Sequence, residues 1–172
     1  MRRTPALMLA LSLVLAAACG TSEDKASSPA ASAGGTASPA APAFTAKTLD
    51  DAAFDSATLA GKDAVLWFWA PWCARCRREA PGVAAAQSAN AGVSFVGVAG
   101  FSEVAAMRTF VTDLQLGAFP HVADSDGSIW QRYGVTEQPA YAFIDNSGKV
   151  EVVRGEMGPE GFAAKVKELA SS

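Results

Sequence analysis

Cysteine and histidine are scarce in this chain of 172 residues, which contains three cysteines and one histidine. A structural zinc site takes four ligands, nearly always from these two residue types. Cys19 lies in an N-terminal segment with the pattern of an export signal, so two cysteines and one histidine remain for the rest of the chain. We therefore expect no metal site, and the sequence gives no sign of any other cofactor.

Basic residues are also few. Lysine and arginine number 14 against 17 aspartates and glutamates, which gives a formal net charge of −3 and a pI of about 5.1. Domains that bind nucleic acid usually present a basic surface with a pI above about 9. The charge balance therefore argues against nucleic acid as a partner.

The longest apolar run, residues 6–18, is short for a membrane span. It follows two arginines and precedes Cys19, and this order is typical of a secretory signal, whereas a membrane helix needs about 20 apolar residues. The three alanines before Cys19 resemble a bacterial lipobox, although Ala16 stands where leucine is usual. We predict a lipoprotein signal at residues 1–18 and lipid attachment at Cys19, with ordinary cleavage to a soluble secreted protein as the alternative.

Bulky apolar residues are missing from residues 19–43, which consist almost entirely of alanine, serine, glycine, proline and threonine. Such a segment cannot bury enough apolar surface to offset the entropy of ordering, so we predict a disordered tether. Residues 44–172 have the composition and length of one folded domain with a core of its own. The predicted organisation is a signal, a tether and a single domain.

Strand and helix patterns alternate along residues 44–172. Strands are expected in an edge hairpin at 44–49 and 52–54, and then at 64–68, 93–98, 119–123, 141–144 and 150–153. Helices are expected at 73–89, after a Ser102 cap, at 129–133 and after Pro159. The run at 64–68 is wholly apolar, as in a central strand covered on both faces. This alternation, closed by a hairpin and a helix, predicts an α/β fold with a mixed sheet.

Two cysteines stand at the junction between a predicted strand and a predicted helix. Cys73 and Cys76 are separated by two residues, so their sulfurs would be neighbours on one helical turn and could form and open a disulfide. As a structural link, so short a ring would add only about 2 kcal/mol of stability, which favours a bond kept for its reactivity. Cys73 lies at the helix N-terminus, where partial positive charge stabilises a thiolate, and we expect it to be the attacking and more exposed sulfur.

The Trp-Cys-x-x-Cys at this junction, together with Gln138-Pro139 before the closing hairpin, resembles the thioredoxin fold. Residues 67–73, 95–100 and 138–143 are similar to the secreted Dsb-type redoxins of actinobacteria. The predicted helix and weak strand between residues 102 and 123 would be the insertion of the related TlpA-like proteins. The resemblance covers the whole of residues 44–172 and implies a central mixed sheet flanked by helices.

The resemblance also implies roles for single residues. Cys73 matches the nucleophilic cysteine and Cys76 the resolving one, and Pro139 matches a cis-proline whose preceding residue, Gln138, borders the substrate. Glu79 matches an acidic residue that TlpA-like relatives keep near the disulfide to shuttle a proton, although a solvated helix glutamate would look the same in sequence.

Thioredoxin keeps a buried acid six residues before its first cysteine, and this chain has Trp67 there. The resemblance to cytoplasmic thioredoxin is therefore incomplete. The aromatic residues expected in the core are Trp67, Phe68, Trp69, Tyr141 and Phe143.

Several residues near the cysteines have a less specific pattern. Arg75 lies between them, and its positive charge favours a thiolate and so the reduced form, which makes an oxidising protein. Arg77 and Arg78 either add to this charge or are ordinary exposed residues. Trp72 is expected to be exposed as part of a docking surface, and His121 to have a structural role.

Together, these expectations predict an extracytoplasmic thiol–disulfide oxidoreductase. It would pass a disulfide to cysteines of exported proteins and be recycled by a membrane redox partner. A reductase for cytochrome c maturation or thiol maintenance would use the same residues. Peroxide reduction is less favoured, because peroxiredoxins place threonine or serine three residues before the reactive cysteine and Ala70 stands there. A non-catalytic lipoprotein with a Cys73–Cys76 clip is the last alternative.

Overall fold

The computed structural model describes residues 40–171. The predicted signal, Cys19 and most of the predicted tether lie outside these residues. The four residues before the predicted domain make contacts with it: Ala40 forms an isolated bridge with Lys149, and the hydroxyl of Tyr133 donates to the carbonyl of Pro42 at 3.0 Å. Residues 40–43 therefore pack against the domain. No helix within 40–171 has both the length and the hydropathy of a membrane span.

Strands and helices alternate much as the sequence predicts. The strands are β1 (Thr45–Lys47), β2 (Ala53–Asp55), β3 (Ala64–Trp69), β4 (Ser94–Gly100), β5 (His121–Asp124), β6 (Ala140–Ile144) and β7 (Val150–Arg154). The helices are α1 (Ala74–Ala89), α2 (Val104–Asp113), α3 (Ser128–Arg132) and α4 (Gly158–Leu169), with a 3-10 turn at Ser56–Leu59.

The central sheet has five strands in the order β5-β4-β3-β6-β7. Strands β3, β4 and β5 are parallel, whereas β6 is antiparallel to β3 and β7 is antiparallel to β6. All six residues of β3 are buried, because this central strand is covered on both faces. The predicted mixed sheet and central strand are confirmed. Strands β1 and β2 form the predicted hairpin, but as a two-stranded sheet of their own and not as an edge of the central sheet.

Alternate side chains of β3 point to opposite faces of the sheet and enter two hydrophobic clusters. Trp67 and Trp69 pack in a cluster that also contains residues of α1, α2 and α4. Leu66 and Phe68 pack in a second cluster with residues of α3. All the aromatic residues predicted for the core are buried.

The predicted cap of the second helix is wrong. Helix α2 begins at Val104, and its N-cap residue is Glu103, which makes no side-chain capping bond. The helix begins one residue later than predicted: the turn before it contains Phe101 at a positive φ of 53°, and Ser102 lies in this turn, where its carbonyl accepts a hydrogen bond from Ser125 Oγ at 2.8 Å. The α2–β5 unit occupies the place of the predicted insertion.

One edge of the sheet gathers the sequence motifs. Parallel strands β3 and β4 end together, with Trp69 opposite Ala99. Strand β6 runs the other way and begins at the same edge, with Ala140 opposite Phe68. The segments after β3, after β4 and before β6 therefore meet, and these segments carry the cysteines, Phe101 and the Gln138–Pro139 pair.

Candidate active site

Cys73 and Cys76 form a disulfide across the first turn of α1, with their Cα atoms 5.3 Å apart. Cys73 is the N-cap residue of the helix, and its Sγ accepts a hydrogen bond from the backbone N–H of Cys76 at 3.0 Å. The helix therefore begins at the cysteine itself, where unpaired N–H groups carry about half a positive charge. The sulfur of Cys73 occupies a position that favours negative charge.

The two cysteines differ in their access to solvent. Cys73 is 5 % exposed, whereas Cys76 is completely buried. The order of exposure agrees with the prediction, but Cys73 is less exposed than expected, because it packs within the core cluster that contains Trp69 and Ala70. A sulfur from another protein would therefore meet Cys73 first.

The three arginines near the disulfide lie in different surroundings. Arg75 is exposed on the first turn of α1. The guanidinium of Arg77 lies 5.1 Å from the centre of the Phe110 ring, and Arg78 forms an exposed salt bridge with Glu156 at 2.7 Å. Arg77 and Arg78 are therefore held by neighbouring groups, and Arg75 is the arginine placed between the cysteines.

Glu79 is buried, with 7 % of its surface exposed. The hydroxyl of Tyr141 donates to its Oε2, and the backbone N–H of Gly158 donates to its Oε1 at 2.7 Å. The solvated alternative is therefore excluded. Because Glu79 follows Cys76 by one turn and both are buried residues of α1, the carboxyl group and the inner sulfur share one side of the helix.

The peptide bond between Gln138 and Pro139 is cis. Pro139 is buried and Gln138 is half-buried. The carbonyl of Pro139 accepts a hydrogen bond from Gly155 at 2.8 Å, which ties this turn to the end of β7. The register of β6 on β3 brings the pair to the edge of the sheet where the cysteines lie.

Trp72 is 61 % exposed beside Cys73, as expected, and its indole N–H donates to the carbonyl of Phe101 at 3.2 Å. Phe101 is 49 % exposed, and these two are the exposed large apolar side chains of the described residues. Phe101 is not among the residues predicted from the sequence. The sequence does contain one signal for it: an aromatic residue follows the predicted strand at 93–98 and the two small residues after that strand.

His121 is 4 % exposed and contacts Trp69, the last residue of the strand that leads to the cysteines. The indole N–H of Trp69 donates to its Nδ1 at 3.3 Å, and its Nε2 lies 3.0 Å from the carbonyl of Leu116. These partners require a neutral ring with the proton on Nε2, because an indole can only donate and a carbonyl can only accept. Burial lowers the pKa of His121 to about 4. The residue has the structural position that was predicted.

Within residues 40–171, no three histidine, cysteine, aspartate or glutamate residues come together in a group that could hold a metal ion. The chemistry available at the site is that of the two sulfurs, a buried carboxyl group and the polar backbone around them.

Comparisons with known proteins identify a family and several relatives of this chain. The model of the AhpC/TSA family matches residues 38–153. The soluble secreted antigen MPT53 of Mycobacterium tuberculosis is 44 % identical over 131 residues, which cover 74 % of this chain and 75 % of the relative. The thiol–disulfide oxidoreductase ResA of Bacillus thuringiensis is 29 % identical over 132 residues, covering 75 % of this chain and 76 % of the relative.

Two solved structures superpose well. DsbF of M. tuberculosis, in mixed oxidised and reduced forms, has a TM-score of 0.72 and 50 % identity and covers 73 % of this chain and 94 % of its own. A secreted M. tuberculosis disulfide oxidoreductase homologous to Escherichia coli DsbE has a TM-score of 0.70 and 43 % identity, with coverages of 73 % and 96 %. With a cysteine pair at the head of α1 and relatives of this kind, the chain belongs to the AhpC/TSA family and is a DsbF-like thiol–disulfide oxidoreductase of thioredoxin fold.

Proposed function

We propose that this protein acts outside the cytoplasm as an oxidant that passes the Cys73–Cys76 disulfide to cysteine pairs of exported proteins. The observation that carries the proposal is the position of Cys73 as the N-cap of α1, with its sulfur already accepting the N–H of Cys76. The same N–H groups would stabilise a Cys73 thiolate after reduction. A stabilised reduced form makes the disulfide a stronger oxidant.

In the proposed reaction, a substrate thiolate attacks Sγ of Cys73. A bond forms between these two sulfurs while the Cys73–Cys76 bond breaks, and Cys76 leaves as a thiolate that takes up a proton. The second substrate thiolate then attacks the substrate sulfur of the mixed disulfide, and Cys73 leaves as a thiolate. Two electrons pass from the substrate to the cysteine pair, and the substrate gains one disulfide.

We assign the proton transfer at Cys76 to Glu79. Cys76 is fully buried, so its thiolate has no direct supply of protons from solvent. Glu79 lies one turn further along the buried side of α1, where Tyr141 and Gly158 hold its two carboxyl oxygens. The carboxyl group can give a proton to Cys76 when the disulfide opens and take it back when the disulfide forms again.

The segment around the disulfide supplies the proposed contacts to substrate. Trp72 offers an exposed aromatic surface next to Cys73, and the half-buried Gln138 before Pro139 offers backbone groups at the same edge of the sheet. Arg75 adds an exposed positive charge that favours thiolates during exchange.

We further propose that the chain is anchored to the membrane through a lipid on Cys19 and is reoxidised by a membrane redox partner. The position of Ala40 supports this arrangement. Ala40 pairs with Lys149, which directly precedes β7. The start of β7 lies opposite the last residue of β6, Ile144. Ile144 lies opposite the first residue of β3, whereas Cys73 follows the last residue of β3. The tether therefore joins the domain at the end of the sheet remote from Cys73, which leaves the disulfide free for partners.

The reverse direction of electron flow is the second candidate, because the buried Glu79 would serve a reductase equally well. A reduction potential well below that of the compartment, with an electron donor instead of an oxidant as partner, would establish the reductase. Peroxide reduction is disfavoured because Ala70 is buried and brings no hydroxyl to the disulfide. Rapid saturable consumption of peroxide would overturn this exclusion.

The proposed exchange is tested with a Cys76→Ser variant, in which the mixed disulfide at Cys73 cannot be resolved. We expect cysteine-dependent adducts with exported proteins on non-reducing gels, and their loss when Cys73 is also replaced. The matched control is Cys73→Ser alone, which leaves only the buried cysteine and should form far fewer adducts. Equal trapping by the two single variants would contradict the assignment of Cys73 as the attacked sulfur.

A further inference from the structure

Tyr141 brings a polar group into the hydrophobic core. The residue is completely buried, and its ring packs against the rings of Phe143 and Phe162, with ring centres 6.2 and 4.9 Å away. A phenylalanine would fill the same space. Because a buried hydroxyl group costs free energy unless a hydrogen bond compensates for it, packing alone does not explain why tyrosine occupies this position.

The hydroxyl group of Tyr141 makes one hydrogen bond within residues 40–171, and this bond goes to Oε2 of Glu79. Glu79 is buried as well, so the core encloses two polar side chains that satisfy each other. For stability alone, apolar side chains of similar shape would serve about as well as such a pair. The pair is instead explained by its place, since Glu79 follows Cys76 by one turn of α1.

The other oxygen of Glu79 is held by the loop between β7 and α4. The backbone N–H of Gly158 donates to Oε1 at 2.7 Å, and the N–H of Gly155, in the same loop, donates to the carbonyl of Pro139 at 2.8 Å. A backbone N–H can only donate, so Oε1 is the acceptor oxygen of the carboxyl group. The proton that Glu79 carries in the proposed function is therefore placed on Oε2, the oxygen that Tyr141 contacts.

We propose that Tyr141 is a positioning residue for the proton transfer at Cys76, because its hydroxyl group can hold Glu79 in both protonation states. The inference rests on the proposed role of Glu79 as the proton carrier. A tyrosine hydroxyl both donates and accepts hydrogen bonds. It donates to Oε2 while Glu79 is a carboxylate, and it can turn about its C–O bond to accept from Oε2 when Glu79 is protonated.

Tyr141 keeps its own proton throughout the reaction. When the disulfide opens, the proton on Oε2 of Glu79 passes to the Cys76 thiolate, and the resulting carboxylate accepts the hydrogen bond of the tyrosine. When the disulfide forms again, the proton returns from Cys76 to Oε2. Tyr141 therefore acts through Glu79, and its hydroxyl group sets how readily Glu79 gives up and takes back the proton.

Removing this hydroxyl group has two expected effects on disulfide opening. The acid is less well placed, so opening slows by about tenfold where Glu79 is protonated, which is part of the loss expected for removing the carboxyl group itself. The carboxylate form also loses a donor, so Glu79 stays protonated to higher pH. The pH above which opening slows therefore rises by roughly one to two units.

No other charged group near Glu79 is altered by this change. Strands β3 and β6 bring no charged side chain. The charged side chains on the adjoining parts of the helices and the loop are exposed, namely Arg75, Arg77 and Arg78 on α1, Glu156 in the loop and Glu160 on the first turn of α4.

The test compares Tyr141→Phe with Tyr133→Phe in the oxidised full-length protein. Tyr133 is the matched control, because it is the second of the two tyrosines of the chain and its buried hydroxyl donates to the carbonyl of Pro42, away from the disulfide. The rate of disulfide opening by dithiothreitol is followed by stopped-flow tryptophan fluorescence from about pH 5 to about pH 9. The ratio of the two rates at each pH cancels the titration of the reductant.

We expect Tyr141→Phe to be slower than the control by about tenfold at the acidic end and the difference to shrink as the pH rises. A ratio that is the same at every pH would show a merely structural role and overturn the inference. In the Glu79→Gln background, Tyr141→Phe should cause no further slowing, because its effect passes through the missing carboxyl group. Slowing by the same factor in both backgrounds would also overturn it.

A second measurement keeps the ring and the fold intact. In the Tyr133→Phe protein, Tyr141 is the only tyrosine, so growth with 3-fluorotyrosine changes this residue alone. The fluorine makes the phenol a stronger donor, which stabilises the carboxylate. We expect the pH above which opening slows to fall, opposite to the effect of phenylalanine. An unchanged or higher value would contradict the inference even if Tyr141→Phe proved unfolded in a urea titration.

Failure of the inference and failure of the proposed function give different results. If Glu79→Gln opens with the rate and pH profile of the wild type, the proposed proton role of Glu79 is wrong. If Glu79→Gln is slow but Tyr141→Phe matches Tyr133→Phe at every pH, only the role of Tyr141 is wrong.

Discussion

The neutral, buried His121 should make the stability of this domain fall in acid. Its pKa is about 4 in the folded protein, against 6.5 for the free side chain. Between these values the unfolded chain binds the proton and the folded chain does not, so stability is lost as the pH falls from 6.5 towards 4. The gap of about 2.5 pH units, at about 1.4 kcal/mol per unit, corresponds to a loss of roughly 3 kcal/mol, of which about 2 kcal/mol is lost by pH 5.

The comparison is between the wild type and His121→Gln, which can still donate to the carbonyl of Leu116 but does not titrate. Urea unfolding of both oxidised proteins, followed by tryptophan fluorescence at pH 7, 6, 5 and 4.5, gives the two stability curves. We expect the variant to be less stable at pH 7 and the difference to shrink by about 2 kcal/mol between pH 7 and pH 5.

Other groups do not disturb this difference. Burial raises the pKa of Asp124, so this carboxyl group stabilises the fold as the pH falls, which is opposite in sign to His121. Asp124 is present in both proteins, and its contribution cancels when the curves are subtracted. Parallel curves between pH 7 and pH 5, or an NMR titration of His121 with a midpoint near 6.5, would refute the reasoning.

Three further predictions concern the site and its support. Glu79→Gln should slow the opening of the disulfide by about a hundredfold near neutral pH and flatten its pH dependence, as measured by stopped-flow tryptophan fluorescence; an unchanged pH profile would remove the proton role. In the reduced protein, Cys73 should react with iodoacetamide before Cys76, with a midpoint below the free value of about pH 8.5; equal reaction of both thiols would contradict this and favour the reductase. Gly97→Ala should destabilise the domain by about 1–3 kcal/mol in urea unfolding, because its Cβ would lie 2.0 Å from Nδ1 of His121; a stability equal to the wild type would show that the ring can move.

The parts of the fold that follow local rules are the parts that the sequence predicts. The uniformly apolar run at 64–68 can be accommodated only in a strand covered on both faces, and β3 is that strand. The cysteine pair lies at a helix start because a strand precedes it and helix-favouring residues follow. A turn pattern at 145–148 between two apolar runs predicts the closing hairpin, and this hairpin is formed by β6 and β7.

The features that the sequence left open or did not indicate depend on contacts between distant segments. Nothing near Glu79 in sequence tells a buried glutamate from a solvated one, because its partners Tyr141 and Gly158 lie 62 and 79 residues away. Phe101 reads as one more apolar residue at a strand end, and its exposure follows from its left-handed backbone and from the space beside Gly127. Both properties belong to the tertiary structure and have no local pattern.

The placement of the buried acid explains how this protein differs from thioredoxin while keeping its chemistry. At the strand position where thioredoxin has its acid, this chain has Trp67, and Tyr141 pairs directly across the sheet from it. The hydroxyl of Tyr141 donates to Glu79 on α1. In our proposal, the group that carries the proton therefore lies on α1 instead of on β3. Tyr141, which pairs with Trp67, donates a hydrogen bond to this group. Glu79 follows Cys76 by one turn of α1, so the helix that presents the disulfide also positions the group that, in our proposal, protonates the Cys76 thiolate.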